Sequence, residues 1–186
     1  MKHIYTFVAG LLLALCASTP ALSASATMPD QIQYGGKNLV LNGVGVRTKL
    51  FMKLYFGGLY LTQKNKDAAA IIAADEPMSI RLVINSSMIS PERMKAATLD
   101  GFKIATQGNL APIQPQITKL LNSFDKGVGP GDIYELINMP GSGVHVVRNG
   151  KLVEKISSLP FKQALFGIWL SNKPVQANLR AQMLGL

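Results

Sequence analysis

Cysteine is nearly missing from this chain: Cys16 is the only one in 186 residues, so no disulfide framework can staple the fold. Histidine is almost as scarce, with His3 and His145 alone, which leaves little material for a multi-histidine metal site or a serine–histidine catalytic device. No apolar run reaches the length of a comfortable membrane span; the longest runs from Ile4 to Ala17. Acidic residues are few, 10 against 19 basic, giving a formal charge of +9. Lysines and arginines are scattered as singles and pairs, and aromatics are sparse at 7%, so the charge reads as a solvated surface favouring anionic ligands or lipid headgroups rather than as a nucleic-acid interface. Gly43-Val-Gly45 lacks the third glycine and following helix of a dinucleotide loop.

What is present begins with a leader. Lys2, the apolar stretch to Ala17 and the small residues ending Ala24-Ser25-Ala26 have the three parts of a secretory signal. Leu15 is too large for the residue expected before a lipoprotein cysteine, so Cys16 does not mark a lipid anchor. The expectation is a cleaved signal peptide at residues 1–26, a periplasmic location, and a single domain over 27–186 without a stable membrane anchor. Cleavage takes away Lys2, His3 and Cys16, leaving 18 basic residues against 10 acidic, a formal +8. Export without cysteine suits a bacterial periplasm.

Strand-like composition predicts strands at 38–46, 50–61, 79–85 and 132–138. A hairpin is expected from 143–147 and 151–156 around Asn149-Gly150, a strong turn signal. Asp67 can cap a short helix to Ala74, and Ser90-Pro91-Glu92 opens one to about Gln107. Ile113, Ile117, Leu120, Leu121 and Phe124 form an apolar stripe that Gly127 can end. Pro160 and Pro174 open two last helices, with Trp169 and the methionines at core spacing. Strands early and late, with helices between and after them, predict an α+β fold: an antiparallel sheet with helices packed on one face.

Arg47 stands out, a lone cation among apolar, strand-like residues. A buried guanidinium without a partner costs several kcal/mol, so Arg47 needs either an internal acid, with Asp132 and Glu135 as candidates, or an anionic ligand. Tyr55 follows eight residues later. In a straight strand that spacing spans roughly 26 Å, so the chain must turn or bulge if both are to grip one group.

The motifs Leu41-x-Gly43-x-Gly45-Val46-Arg47, Phe51-x-Lys53-x-Tyr55-x-x-Gly58-Leu59-Tyr60-Leu61, and Pro140-Gly141-x-Gly143-Val144 occur in one order. With Phe161-x-x-Ala164-Leu165-Phe166-x-Ile168-Trp169-Leu170, Lys173-Pro174-Val175 and Met183-Leu184-Gly185, the chain resembles the chalcone isomerase-like family, in its bacterial exported branch, over nearly all the mature length. The resemblance implies an open-faced β-sandwich whose sheet carries a layer of helices, with a ligand cleft between them. It also implies a role for Arg47, since the family's enzymes use an arginine there to steady the oxyanion of a cyclising phenolate. Those enzymes further use a threonine in the second strand and a tyrosine and an asparagine around a later helix. Here the corresponding stretches read Tyr55, Ser87-Met88-Ile89-Ser90 and Lys95-Ala96-Ala97, so no catalytic residue is assigned. Arg47 and Tyr55 resemble instead the pair by which non-catalytic fatty-acid-binding members hold a carboxylate.

The expectation is therefore a periplasmic binding protein for a fatty acid or similar amphipathic carboxylate, with no metal, cofactor or nucleic acid; the sequence names no protein partner. Two alternatives stand beside it: an isomerase or intramolecular lyase acting on an enone, and haem binding with His145 or a methionine as axial ligand. Otherwise His145 is a structural histidine.

Overall fold

The computed structural model describes residues 28–186, so the expected leader at 1–26 lies outside the described residues. Seven strands run in strict sequence order through one antiparallel sheet: β1 (Gln31–Tyr34), β2 (Lys37–Lys49), β3 (Met52–Leu61), β4 (Met78–Ile84), β5 (Ile133–Met139), β6 (Gly143–Arg148) and β7 (Lys151–Ile156). Among the described residues five α-helices, α1 (Ala68–Ala73), α2 (Pro91–Ala105), α3 (Gln114–Ser123), α4 (Leu159–Leu170) and α5 (Ala177–Leu184), and two short 3-10 helices complete it. The α+β class is as expected.

Alternation along the strands sorts side chains onto two faces. Met78, Ile80, Leu82 and Ile84 of β4 join Leu59, Tyr134, Leu136, Val144 and Val146 in a large core shared with Phe102, Ile117, Leu120, Phe161, Leu165 and Phe166 from the helices. Between them Val83 turns the other way, into a smaller core with Met28, Ile32, Leu39 and Tyr60. The sheet curls enough to bring the β1 end back over this second face: Tyr60 Oη donates to the Pro29 carbonyl at 2.9 Å, and Tyr34 Oη lies 2.9 Å from His145 Nδ1 on β6. That overlay forms the second layer of the sandwich.

Helix starts follow local chemistry. The Asp67 carboxylate accepts from the Ala69 and Ala70 N–H groups, Ser90 accepts from Arg93 N beside Pro91, and Ser158 accepts from Phe161 N. Lys162, wholly buried, donates to the carbonyls of Ile71, Ile72 and Ala74 and so closes the C-terminal end of α1. Burial pushes its ammonium down to about 8.

Two expectations need correction. The strand predicted from Leu50 begins at Met52, because Leu50 and Phe51 form a two-residue turn. The helix predicted from Pro174 begins at Ala177: Val175 N donates back to the Ile168 carbonyl, and the Gln176 side chain is committed to β2. Strand β1 lies ahead of the first predicted strand.

Beyond its short pairing with β1, β2 would expose a bare edge from about residue 42, and α5 closes it. Asn42 Nδ2 donates to the Met183 carbonyl and Val46 N to Gln182 Oε1. Gly43 is required for this approach: a Cβ there would lie 2.1 Å from the Gln182 carbonyl oxygen.

Candidate functional site

The turn at Leu50 and Phe51 solves the spacing problem. Both residues have positive φ, 48° and 66°, as a type I′ hairpin requires at its two central positions. The strands fold back on each other so that Arg47 stands directly opposite Tyr55. Just beyond that pair the register shifts, Thr48 facing Lys53, so a bulge lies beside the pair. Residues that would be far apart on a straight strand become cross-strand neighbours, with Cβ atoms about 5 Å apart in such a pair.

Both side chains line a cleft of about 550 Å³ between the sheet and the helices. Its wall is mostly apolar, with Leu54, Leu82, Met94, Ile168 and Trp169, and its rim carries Lys49 and Arg93. The volume lies within the range of small-ligand sites.

Arg47 is oriented but not neutralised. Its Nη1 donates to the Thr48 carbonyl at 3.0 Å and to Gln176 Oε1 at 2.9 Å. Gln176 Oε1 also accepts from Thr48 N at 3.0 Å, which ties the guanidinium to the edge of β2. The acids considered as partners are engaged elsewhere: Asp132 with Arg148 at 2.9 Å, Glu135 with Arg81 at 2.7 Å. Among the described residues no carboxylate pairs with Arg47, and its Nη2 and Nε meet no acceptor.

Tyr55 is buried, 8% exposed, and its Oη accepts a hydrogen bond from Trp169 Nε1 at 3.0 Å. Burial raises the phenol above its ordinary 10, against the opposing influence of the Trp169 bond and the Arg47 charge. It therefore keeps its proton at neutral pH. Having accepted from Trp169, the hydroxyl can donate that proton to a third group. A guanidinium fork beside a neutral hydroxyl donor is suited to bind a carboxylate or another oxyanion.

The sequence pointed to Arg47 and Tyr55 and missed their supports. Trp169, read as packing, positions the Tyr55 hydroxyl; Gln176, unremarked, positions Arg47. Neither carries a local signal, since Trp169 sits at ordinary core spacing in α4 and Gln176 lies in a loop. His145 belongs to the opposite face, with Nδ1 near Tyr34 Oη and Nε2 2.6 Å from Ser142 Oγ. Burial, then the nearby Lys155 charge, lowers its pKa. Among the described residues no group of three histidine, cysteine or acidic side chains could hold a metal ion.

This architecture, a curled antiparallel sheet with helices packed on it, is that of chalcone isomerase-like proteins. The family's sequence profile, described as chalcone isomerase-like, matches residues 22–185; the chain belongs to that family. Among solved structures it is similar to a fatty-acid binding protein of Arabidopsis thaliana, with a TM-score of 0.66 at 16% identity, over 84% of this chain and 90% of that one. At that identity the likeness establishes the fold. No curated protein matches the sequence.

Proposed function

We propose that this protein is an exported, periplasmic, non-catalytic carrier or sensor for a fatty acid or similar amphipathic carboxylate. The carboxylate binds between Arg47 and Tyr55, and the tail lies along the apolar wall of Leu82, Met94 and Ile168. The carrying observation is the Arg47–Tyr55 pair, held by Gln176 and Trp169, facing a cleft in which no carboxylate pairs with the guanidinium; Asp100, the acid of the lining, is paired with Lys103 at 3.0 Å. The fold shared with the Arabidopsis fatty-acid binding protein supports the same reading.

The two ends of such a ligand do different work. Each buried methylene contributes about 0.8 kcal/mol before ordering is counted, whereas a charge-assisted hydrogen bond nets about 1.5–3 kcal/mol. The tail supplies affinity and Arg47 sets orientation. Enone cyclisation would also use a cationic anchor, but Met88, Ile89, Ala96 and Ala97 line the region where the family's enzymes place further polar groups. His145, the histidine of the haem reading, stands on the far face of the sheet.

The test is native mass spectrometry of the protein recovered from the periplasm of its host, beside Arg47→Ala. A bound acyl mass that falls in the variant is the expected result. An empty wild type that cyclises a chalcone would replace this reading with the enzymatic one.

A further inference from the structure

The turn that brings Arg47 to Tyr55 is made of the wrong residues for a turn. Positive φ at both central positions favours Asn-Gly or Asp-Gly, and β-carbons raise the energy of the left-handed region; here the pair is Leu50-Phe51. Nothing among the described residues covers them. Leu50 is 74% exposed, Phe51 104% and the adjoining Met52 40%. Local backbone preference and burial both disfavour a large apolar pair at this tip, so neither accounts for it.

The neighbourhood of the tip supplies the partner's chemistry. Lys49 and Lys53 flank it, both exposed, and Arg93 adds a third exposed cation across the cleft rim. Apolar side chains at the extremity of a hairpin with cations one step behind match the depth profile of an anionic bilayer, acyl chains below and phosphates above. A soluble acidic protein would satisfy the lysines but not a bare phenyl ring projecting into water. Lys49 and Leu50 also belong to the cleft lining, so the tip and the mouth of the cleft share one end of the molecule.

We infer that the β2–β3 hairpin tip, Lys49-Leu-Phe-Met-Lys53, is a membrane-docking finger: Leu50 and Phe51 insert below the headgroups of an anionic lipid surface while Lys49, Lys53 and Arg93 contact its phosphates. Docking is reversible, since two side chains and a few charges fall short of stable anchoring. It holds the cleft mouth against the bilayer, and it stands whatever the cleft contains.

The test reads insertion at the tip, on protein in the form its host accumulates. Phe51→Trp and, as a control on β7, Leu152→Trp are mixed with phosphatidylglycerol/phosphatidylcholine vesicles whose acyl chains are brominated; the native Trp169 is buried and gives the background. Expected are a blue shift and quenching for Phe51→Trp, weaker on phosphatidylcholine alone, and neither for Leu152→Trp. Lys49→Gln/Lys53→Gln should weaken binding about fivefold per lysine removed. The double variant Leu50→Asn/Phe51→Gly, which installs the favoured turn pair, should melt no lower than wild type yet lose vesicle binding at least about tenfold. An unmoved Phe51→Trp spectrum, or equal quenching at both positions, overturns the inference. So does a wild-type dimer that the double variant dissociates without any vesicle binding, which would assign the tip to a second copy of the chain.

Discussion

Arg47 and Arg81 are both strand arginines of one sheet, and their surroundings differ in nearly every respect. Arg81 lies on β4 opposite Glu135 of β5, and the two form an ion pair at 2.7 Å with side chains only 13% and 14% exposed. Its face also holds the Tyr34–His145–Ser142 chain of hydrogen bonds. Arg47 faces the cleft, is aligned by Gln176 and the Thr48 carbonyl, and meets no acid among the described residues. The Arg81 charge is matched by a carboxylate within the sheet. The Arg47 charge is matched by none of the described acids. A strand cation is informative about function when the fold has spent its acids elsewhere.

Substitution should separate the two faces. Arg81→Ala leaves Glu135 half-buried without its partner and should destabilise the fold by about 3 kcal/mol, a drop of roughly 6–12 °C in melting temperature for a domain of this size. Replacing Glu135 as well, in Arg81→Ala/Glu135→Leu, should recover part of that loss; thermal denaturation of both variants checks it. Arg47→Ala should change stability by less than about 0.5 kcal/mol while weakening carboxylate binding by about 1.5–3 kcal/mol, measured as displacement of a fluorescent acyl probe. Equal effects of the two alanine variants on stability would erase the contrast.

Trp169→Phe should act between these, removing the donor to Tyr55 and lowering ligand affinity by about 1 kcal/mol with the cleft otherwise intact. The smallest effect belongs to His145. Burial and the Lys155 charge hold its pKa below the ordinary 6.5, so below that pH the unfolded chain binds more protons than the folded one. Stability present above pH 6.5 is therefore lost as pH falls through the folded value, and His145→Gln should flatten that limb of a melting-temperature profile. Ligand binding to the cleft face should not follow it.

Much of this was legible because local chemistry and tertiary structure agree. Ser90-Pro91 and Asp67 start helices where capping chemistry puts them, and Asn149-Gly150 turns a hairpin as its backbone preference dictates. Legibility failed where distant parts of the chain decide. Leu50-Phe51 carries no turn signal, so strand-like composition runs straight through it. Pro174 does not open α5, because Gln176 is held by β2. Arg47 could be singled out by its apolar flanks, but its lack of an acid depended on knowing that Arg148 and Arg81 take Asp132 and Glu135. Trp169 and Gln176 lie more than a hundred residues from the side chains they position, beyond the reach of any periodicity.

Every strand pairs with its immediate neighbour in sequence, so the sheet can grow in the order in which the chain is synthesised. The cleft follows a different schedule. Arg47 and Tyr55 emerge early, whereas Trp169, Gln176 and the helix that seals β2 come from the last eighteen residues. A nascent or C-terminally clipped chain can thus hold most of the sheet and still lack an aligned guanidinium and a positioned phenol. Alignment of Arg47 and Tyr55 therefore waits for the chain at least as far as Gln176.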